Sequence, residues 1–194
     1  MNTVFVDVDT QIDFVFPAGA LYAPGAEKIL PVVSSLNRYA ARTGAVVLSS
    51  MDAHSEDDPE FHRWPPHCVA GTIGQQKPAS TLLERRVVVP SNRGAVFSLD
   101  SCQQIIIEKQ TIDLFSNANI PFMLDYLQAQ RFVVYGVVTE ICVRCAALGL
   151  LRLGKLVEVV TDAVRALDNE KAAAMLREFT SAGGSLTSST SVMA

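Results

Sequence analysis

Five short apolar runs, rich in β-branched residues, are separated along the chain by segments with helical periodicity. The runs cover residues 4–8, 46–49, 105–108, 132–135 and 156–160. Runs of this kind are typical of strands buried on both faces, and strands that alternate with helices form right-handed βαβ units. The pattern predicts a three-layer α/β/α sandwich around a mostly parallel sheet of about six strands, with short additional strands at 87–89 and 186–188.

Composition limits the classes of protein that this chain can belong to. With 194 residues, 49% of them hydrophobic, it is expected to form one domain over residues 1–194. The formal net charge of -4 argues against a nucleic-acid partner. No apolar run approaches the roughly 20 residues that cross a bilayer, and the first residues lack the features of a signal peptide. We therefore expect a cytoplasmic protein with no membrane partner.

Cys142 lies in the segment 136–147, GVVTEICVRCAA, where a predicted strand gives way to a helix. If Thr139 caps that helix, Cys142 falls in its first turn, where free N–H groups and the helix dipole favour a thiolate and could stabilise an oxyanion. A small buried hydrophobe is the simpler interpretation of such a cysteine. Because Cys145 completes a C-x-x-C pair, a redox dithiol is a further alternative.

Four residues that could take part in chemistry lie at or just beyond the predicted strand ends. They are Asp9, Asp52, Lys109 and Cys142. In open parallel sheets, ligands bind in the crevice outside the carboxyl ends of the strands. These residues are therefore expected to converge on one crevice, which favours chemistry over packing as the role of Cys142.

The three histidines cluster in one proline-rich segment after the second predicted strand. Asp52 and His54 project to the same side of an extended chain, and His67 could complete a set of one carboxylate and two imidazoles. This set predicts a divalent metal site with open positions, which we expect to hold zinc, although iron and manganese also suit the donors. The role of His62 is left open between a fourth ligand, an indirect support and a surface residue.

The base that would serve Cys142 is predicted by elimination. Since all the histidines lie in the metal-binding segment, a carboxylate is needed. Asp9 is the best candidate, because burial at the end of a strand would raise its pKa toward a useful range. Asp13 is the alternative, although a structural role fits it better. Lys109 could hold the sulfur and the carboxylate together electrostatically.

Together these segments resemble the isochorismatase-like cysteine hydrolases, and among them the nicotinamidases. The matching pieces are VDTQIDF at 8–14, DAH at 52–54, WPPHCVAGT at 64–72, Lys109 and GVVTEICVR at 136–144. They cover nearly the whole chain in the same order. The segment 110–117, QTIDLFSN, departs from the Tyr-Ser-x-Phe element that nicotinamidases tend to carry there, and Phe115 is at most a partial equivalent. This departure concerns the choice of substrate rather than the chemistry.

The resemblance implies a role for each member of the reactive group. Asp9, Lys109 and Cys142 would form the catalytic triad. A cis peptide between Val137 and Val138 would direct the backbone N–H groups of Val138 and Cys142 at an oxyanion.

The resemblance also implies which residues surround the substrate. The metal would be held by Asp52, His54 and His67. Aromatic contacts to the substrate would come from Phe14, Trp64 and Phe115.

The sequence thus predicts a metal-containing cysteine amidohydrolase that converts nicotinamide, or a similar small carboxamide, to the acid and ammonia through a thioester. One alternative is another hydrolase of the same superfamily, acting on a carbamoyl, ureido or vinyl-ether substrate. The other is a dithiol redox or binding module on the same fold. The small-molecule substrate is the expected partner, and because related enzymes self-associate, a homo-oligomer is expected.

Overall fold

The computed structural model describes residues 2–92, 94 and 96–194. Its centre is a sheet of seven parallel strands in the order β3-β4-β2-β1-β5-β6-β7. The strands are β1 Thr3–Val8, β2 Val46–Asp52, β3 Arg86–Val89, β4 Gln104–Lys109, β5 Arg131–Val137, β6 Leu156–Arg165 and β7 Ser185–Thr187. The predicted parallel sheet is therefore confirmed. It has seven strands rather than about six because both short runs, β3 and β7, pair with its edges.

Helices cover both faces of the sheet. They are α1 Ile12–Val15, α2 Leu30–Thr43, α3 Ile120–Leu127, α4 Arg144–Arg152, α5 Asn169–Ser181 and α6 Ser189–Met193. Buried side chains of α2 and α6 pack on one face, and those of α3, α4 and α5 pack on the other. The predicted α/β/α sandwich is confirmed by this arrangement. No helix in the described ranges combines the length and apolar composition that a membrane span requires.

Local signals in the sequence set several of the helix ends. Pro31 lies in the first turn of α2, and Gly44 ends that helix with a left-handed φ of 77°. The Asp168 carboxylate accepts hydrogen bonds from the N–H groups of Glu170 and Lys171, and so caps α5 as predicted. Thr139 does not cap the helix after β5, and that cap is the condition under which Cys142 would fall in its first turn. The Thr139 hydroxyl instead donates to the Arg165 carbonyl at 2.9 Å, and a π-helical turn, Thr139–Val143, leads into α4.

The register of the sheet brings the strand ends of interest to one edge. Asp52 at the end of β2 is paired with Lys109 at the end of β4, and Val8 at the end of β1 with Gly136 in β5. Gly136 has a φ of 115°, and a Cβ there would lie 2.1 Å from the Val8 carbonyl oxygen. Only glycine permits this approach of β5 to the end of β1.

Candidate active site

Four buried side chains meet at the carboxyl edge of the sheet, as the strand-end argument predicts. The Lys109 ammonium lies 2.9 Å from Asp9 Oδ2, donates to Asp52 Oδ1, and is 3.9 Å from Cys142 Sγ. The exposed fractions of Asp9, Asp52, Lys109 and Cys142 are 0%, 3%, 1% and 7%. The structure thus places two acids and one thiol around one cation, away from bulk water.

The position of the Asp9 carboxylate depends on an unusual backbone conformation. In β1, Val8 packs on one face of the sheet, and the alternation of a strand would place Asp9 with Asp7 on the opposite face. Asp9 instead has a positive φ of 45°. Its Oδ1 accepts a 2.6 Å hydrogen bond from the Ser50 hydroxyl. Ser50 follows Leu48 by two residues in β2, and Leu48 packs on the same face of the sheet as Val8. The Asp9 carboxylate is therefore bonded on the face of Val8. The turn after β1 therefore sets the direction of this carboxylate.

Burial controls the protonation of the reactive pair. It raises the pKa of Asp9, an effect that the nearby Lys109 cation opposes and the Asp52 carboxylate reinforces. It also raises the pKa of the Cys142 thiol well above its ordinary value; Lys109 again opposes the shift, and the two carboxylates add to it. Burial therefore outweighs the preference for a thiolate that a helix start provides. The sulfur carries its proton until a base removes it.

The Asp9 carboxyl is well placed to be that base. The Lys109 ammonium lies 2.9 Å from Asp9 Oδ2 and 3.9 Å from Cys142 Sγ, and so brings the carboxylate and the thiol to one place. Although Lys109 Nζ is 2.9 Å from Asp9 Oδ2, no well-directed hydrogen bond reaches this oxygen within the described chain. A lone pair of Asp9 Oδ2 is therefore available for the thiol proton.

The backbone before Cys142 has the conformation that the resemblance implied. The peptide between Val137 and Val138 is cis. Val138 directly precedes the π-helical turn that contains Cys142. The Glu140 carboxylate accepts from the N–H groups of Leu167 and Asp168, at 3.0 and 2.8 Å, and so ties this turn to the start of α5.

A second group of side chains has the composition of a metal site. Asp52, His54 and His67 are buried, and one possible ligand atom from each lies within 4.8 Å of the others. The Nδ1 of His54 is 3.0 Å from Asp58 Oδ2, and the Nδ1 of His67 is 2.8 Å from the Pro65 carbonyl. With Nδ1–H donating in both rings, each Nε2 presents a lone pair, which is the tautomer that a metal requires.

The charges and the unsatisfied polar atoms of this cluster also suit a cation. His54 Nε2 is buried without a hydrogen-bond partner in the described structure and lies 3.9 Å from Asp52 Oδ2. Burial disfavours the charged form of His54, yet Asp52 and Asp58 raise its pKa to about 8. Burial likewise opposes ionisation of Asp52, but Lys109 and His54 hold the pKa of this carboxyl below its usual value. Asp52, His54 and His67 therefore fit a divalent metal.

Three supporting residues were not predicted from the sequence. Asp58 caps the short helix Pro59–His62 and contacts His54, and Ser50 bonds Asp9. Glu60 lines the same cavity as Asp52 and His67, and burial raises the pKa of its carboxyl. The Asp58-Pro59 pair signals a helix start, and Asp58 follows His54 by four residues. The sequence alone could therefore have indicated that Asp58 contacts His54. His62, whose role was left open, is exposed and lies outside the three-ligand cluster.

The space beside Cys142 is small and largely apolar. A cavity of about 20 Å³ is lined by Phe14 and Trp64, as predicted, and also by Leu21, Glu60, Ile112, Val138, Ile141 and Leu167. Phe115, the third predicted substrate contact, does not line this cavity, and its contact with a substrate stays a prediction. Asp113 caps the turn Leu114–Ser116, and the Phe115 ring packs against Gly149 of α4, so Ile112 occupies the wall instead.

Asp13 and Cys145, the two remaining candidates from the sequence, lie outside the reactive group. The Asp13 carboxylate accepts from the N–H groups of Cys68 and Ala20, at 2.7 and 3.0 Å, which agrees with a structural role. Cys142 and Cys145 are both free thiols. Cys145 lies on α4, half-buried, and lines the neighbouring groove rather than the cavity.

The chain is similar to known proteins both in sequence and in fold. The model of the isochorismatase domain matches residues 3–191. The nicotinamidase of Escherichia coli (strain K12) is 24% identical over 204 residues, covering 92% of this chain and 91% of the relative. The crystal structure of the pyrazinamidase of Pyrococcus horikoshii in complex with zinc superimposes with a TM-score of 0.82 at 28% identity, covering 97% of this chain and 99% of that one. The N-carbamoylsarcosine amidase of Thermoplasma acidophilum shares the fold, with a TM-score of 0.78, 24% identity and 97% of each chain covered.

Proposed function

Because the chain belongs to the isochorismatase family of hydrolases, we propose that it is a metal-containing cysteine amidohydrolase that converts nicotinamide or a similar small carboxamide to the acid and ammonia. The observation that carries the proposal is the buried contact of Asp9, Lys109 and Cys142 beside the cluster of Asp52, His54 and His67. The nucleophile Cys142 and two residues of the metal cluster, Asp52 and His67, line one cavity. The similarity to a nicotinamidase and to a zinc-bound pyrazinamidase supports this choice of substrate and of zinc.

The first half of the reaction would form a thioester. Asp9 takes the proton of the Cys142 thiol as the sulfur attacks the carboxamide carbon. The backbone N–H groups of Val138 and Cys142 stabilise the oxyanion of the tetrahedral intermediate. The C–N bond then breaks, and ammonia leaves with the proton that Asp9 had taken.

The second half would release the acid. Asp9, ionised again, takes a proton from a water molecule, which attacks the thioester carbon. The C–S bond breaks, and Asp9 returns a proton to the departing sulfur. Lys109 stays charged throughout, because burial, which disfavours the cation, is outweighed by Asp52 and Asp9, which together raise its pKa well above the ordinary value.

The metal would orient the substrate. Asp52, His54 and His67 would hold it, and it would supply a Lewis-acid position for a ring nitrogen of the substrate. Phe14 and Trp64 line the space between this cluster and the sulfur. Their rings favour a flat aromatic amide between them.

The decisive experiment measures ammonia release from nicotinamide by the purified protein. We expect Cys142→Ala to abolish turnover without changing metal content or the circular dichroism spectrum, because only the attacking sulfur is lost. Cys145→Ala is the matched control, one helical turn further on, and should retain activity. Turnover that survives in Cys142→Ala would refute the assignment.

The segment after Lys109 supports a second candidate, a hydrolase of N-carbamoyl or ureido compounds. Ile112 rather than an aromatic residue of this segment lines the cavity. A panel of nicotinamide, pyrazinamide and N-carbamoyl amino acids separates the two candidates. Higher kcat/KM for the carbamoyl compounds would favour the second.

A further inference from the structure

A second buried ion pair lies at the end of β1, and none of the chemistry above uses it. Lys77 Nζ is 3.4 Å from Asp7 Oδ2, and their side chains are 1% and 0% exposed. Asp7 Oδ2 also accepts from Asn37 and Ser49, at 3.3 and 3.2 Å. A buried pair of this kind is costly to desolvate, so its presence calls for a role other than net stability.

Thr10 links the ion pair to the backbone next to the proposed base. Lys77 donates to Thr10 Oγ1 at 2.9 Å, and Thr10 Oγ1 donates to Asp7 Oδ1 at 2.6 Å. A lysine ammonium can only donate, so the Thr10 hydroxyl must accept from Lys77 and direct its own hydrogen at Asp7. This order of donors and acceptors fixes the Thr10 side chain in one orientation.

The orientation of Thr10 matters because Thr10 is the centre of the turn that directs Asp9. The Gln11 N–H donates to the Asp9 carbonyl at 2.7 Å, which closes a three-residue turn around Thr10. The first residue of this turn, Asp9, has the positive φ of 45°. A non-glycine residue stays in that region only where its surroundings hold it there.

The same turn is fastened to the loop that carries the metal-binding histidines. Gln11 Nε2 donates to the carbonyls of Gln75 and Asp52, at 2.8 and 2.9 Å, and Gln11 Oε1 accepts from the Asp52 N–H at 2.7 Å. Lys77 follows Gln75 by two residues. Gln75 and Lys77, at the far end of the loop, are therefore hydrogen-bonded to Gln11 and Thr10, the two residues that follow Asp9.

We propose that Lys77 is a positioning residue, which through Thr10 and Asp7 holds the turn that points the Asp9 carboxylate at Cys142. The proposal rests on the proposed function, in which Asp9 is the base. Lys77 touches neither the substrate cavity nor the metal cluster, so its effect is on the geometry of proton transfer and not on binding. A displaced base lowers kcat and leaves KM unchanged.

The first test compares two substitutions of Thr10. Thr10→Val removes the hydroxyl but keeps the shape and both charges, and we expect kcat to fall about 10- to 100-fold, with KM within about twofold of wild type, because small misplacements of catalytic groups cost this much. Thr10→Ser restores the hydroxyl and should restore kcat. The rate of alkylation of Cys142 by iodoacetamide, followed by peptide mass spectrometry, should fall in Thr10→Val and recover in Thr10→Ser.

The second test removes both charges together. The double variant Asp7→Asn, Lys77→Met leaves no unpaired buried charge, so we expect it to fold and to show the same loss of kcat and of alkylation rate. The control is Arg131→Met with Glu158→Gln, a part-buried ion pair at the amino end of the sheet, which should keep both rates. If one test variant fails to fold, the other decides.

Wild-type kcat and alkylation rates in the folded Thr10 or double variant, or a higher KM at unchanged kcat, would overturn the proposal. The alkylation measurement needs no substrate. If wild-type protein does not hydrolyse nicotinamide, the proposed function fails, but the comparison of alkylation rates still tests the role of Lys77.

Discussion

Lys109 is the residue on which the charge balance of the site depends. It contacts both buried carboxylates. Burial raises the pKa of Asp9, of Asp52 and of the Cys142 thiol, and the charge of Lys109 opposes this rise in all three. Asp9 nevertheless keeps a raised pKa, whereas Asp52 has a lowered one. The difference arises because His54 lowers the pKa of Asp52, whereas the Asp52 carboxylate raises the pKa of Asp9. This difference suits the two roles that we propose for these chemically identical side chains, a base for Asp9 and a metal ligand for Asp52.

The raised pKa of Asp9 predicts the pH dependence of catalysis. Asp9 must be ionised to take the thiol proton, so activity is lost as the pH falls through its pKa. Because burial raises that pKa above the ordinary 3.8, we expect the acidic limb of kcat/KM for nicotinamide to lie above this ordinary value. Circular dichroism at each pH controls for acid unfolding. An acidic limb at or below the ordinary value would show that Asp9 is not the base.

At the scale of elements, the loop between β2 and β3 does most to build the site. It contributes two imidazoles, and short local contacts orient them: Asp58 on His54 Nδ1 and the Pro65 carbonyl on His67 Nδ1. Asp58 also accepts from the Glu60 N–H at 2.9 Å, so one carboxylate caps a helical turn and orients a ligand. The order of this loop and the tautomer of His54 therefore depend on the same side chain.

Asp58→Asn should weaken metal binding without removing a ligand. An amide in place of the carboxylate no longer favours the tautomer with Nδ1–H, so we expect the dissociation constant for zinc to rise by about 10- to 100-fold. Competition with a chromogenic chelator measures it. Asp57→Asn, at an exposed neighbouring position, is the matched control and should bind zinc like the wild type. Equal affinities in the two variants would contradict the role given to Asp58.

The close approach of β1 and β5 makes Gly136 the most restrictive glycine of the sheet. Gly136→Ala places a Cβ against the Val8 carbonyl at an unfavourable φ, so we expect a loss of more than about 2 kcal/mol in the free energy of unfolding. Gly154→Ala also faces a positive φ of 72° but meets no atom within 4 Å, and should cost about 1 kcal/mol. Urea denaturation measures both. Equal losses would show that backbone strain alone, and not the contact with Val8, restricts position 136.

At the scale of the whole molecule, one sheet connects every part of the site. The apolar clusters on its two faces share β1, β2, β5 and β6. We therefore propose that residues 1–194 form a single domain. Cytoplasmic location and self-association stay predictions.

Metal removal should lower the stability of this domain as a unit. A ligand at 100 times its dissociation constant stabilises the folded state by about 2.7 kcal/mol, which for a chain of this size corresponds to roughly 5–10 °C in the unfolding midpoint. We expect a single thermal transition that a chelator shifts downward by this amount and that added zinc restores. Calorimetry with and without chelator measures it. Two separate transitions would contradict the single domain, and an unchanged midpoint would contradict the metal site.

The sequence by itself determined the parallel sandwich, the gathering of Asp9, Asp52, Lys109 and Cys142 at one edge, and the candidate metal cluster of Asp52, His54 and His67. Apolar periodicity is a local property, and parallel strands necessarily end at the same edge, so both are readable without coordinates. The resemblance to a known family added the cis peptide and the aromatic walls Phe14 and Trp64.

Only the tertiary structure decided the protonation of Cys142, the support of His54 by Asp58, the absence of Phe115 from the cavity and the bond from Lys77 to the turn at Thr10. Each depends on which side chains from distant segments meet in a buried space, where burial and a neighbouring charge can reverse a local preference. The thiol shows this most clearly. A helix start favours the anion, but burial beside two carboxylates keeps the proton on the sulfur.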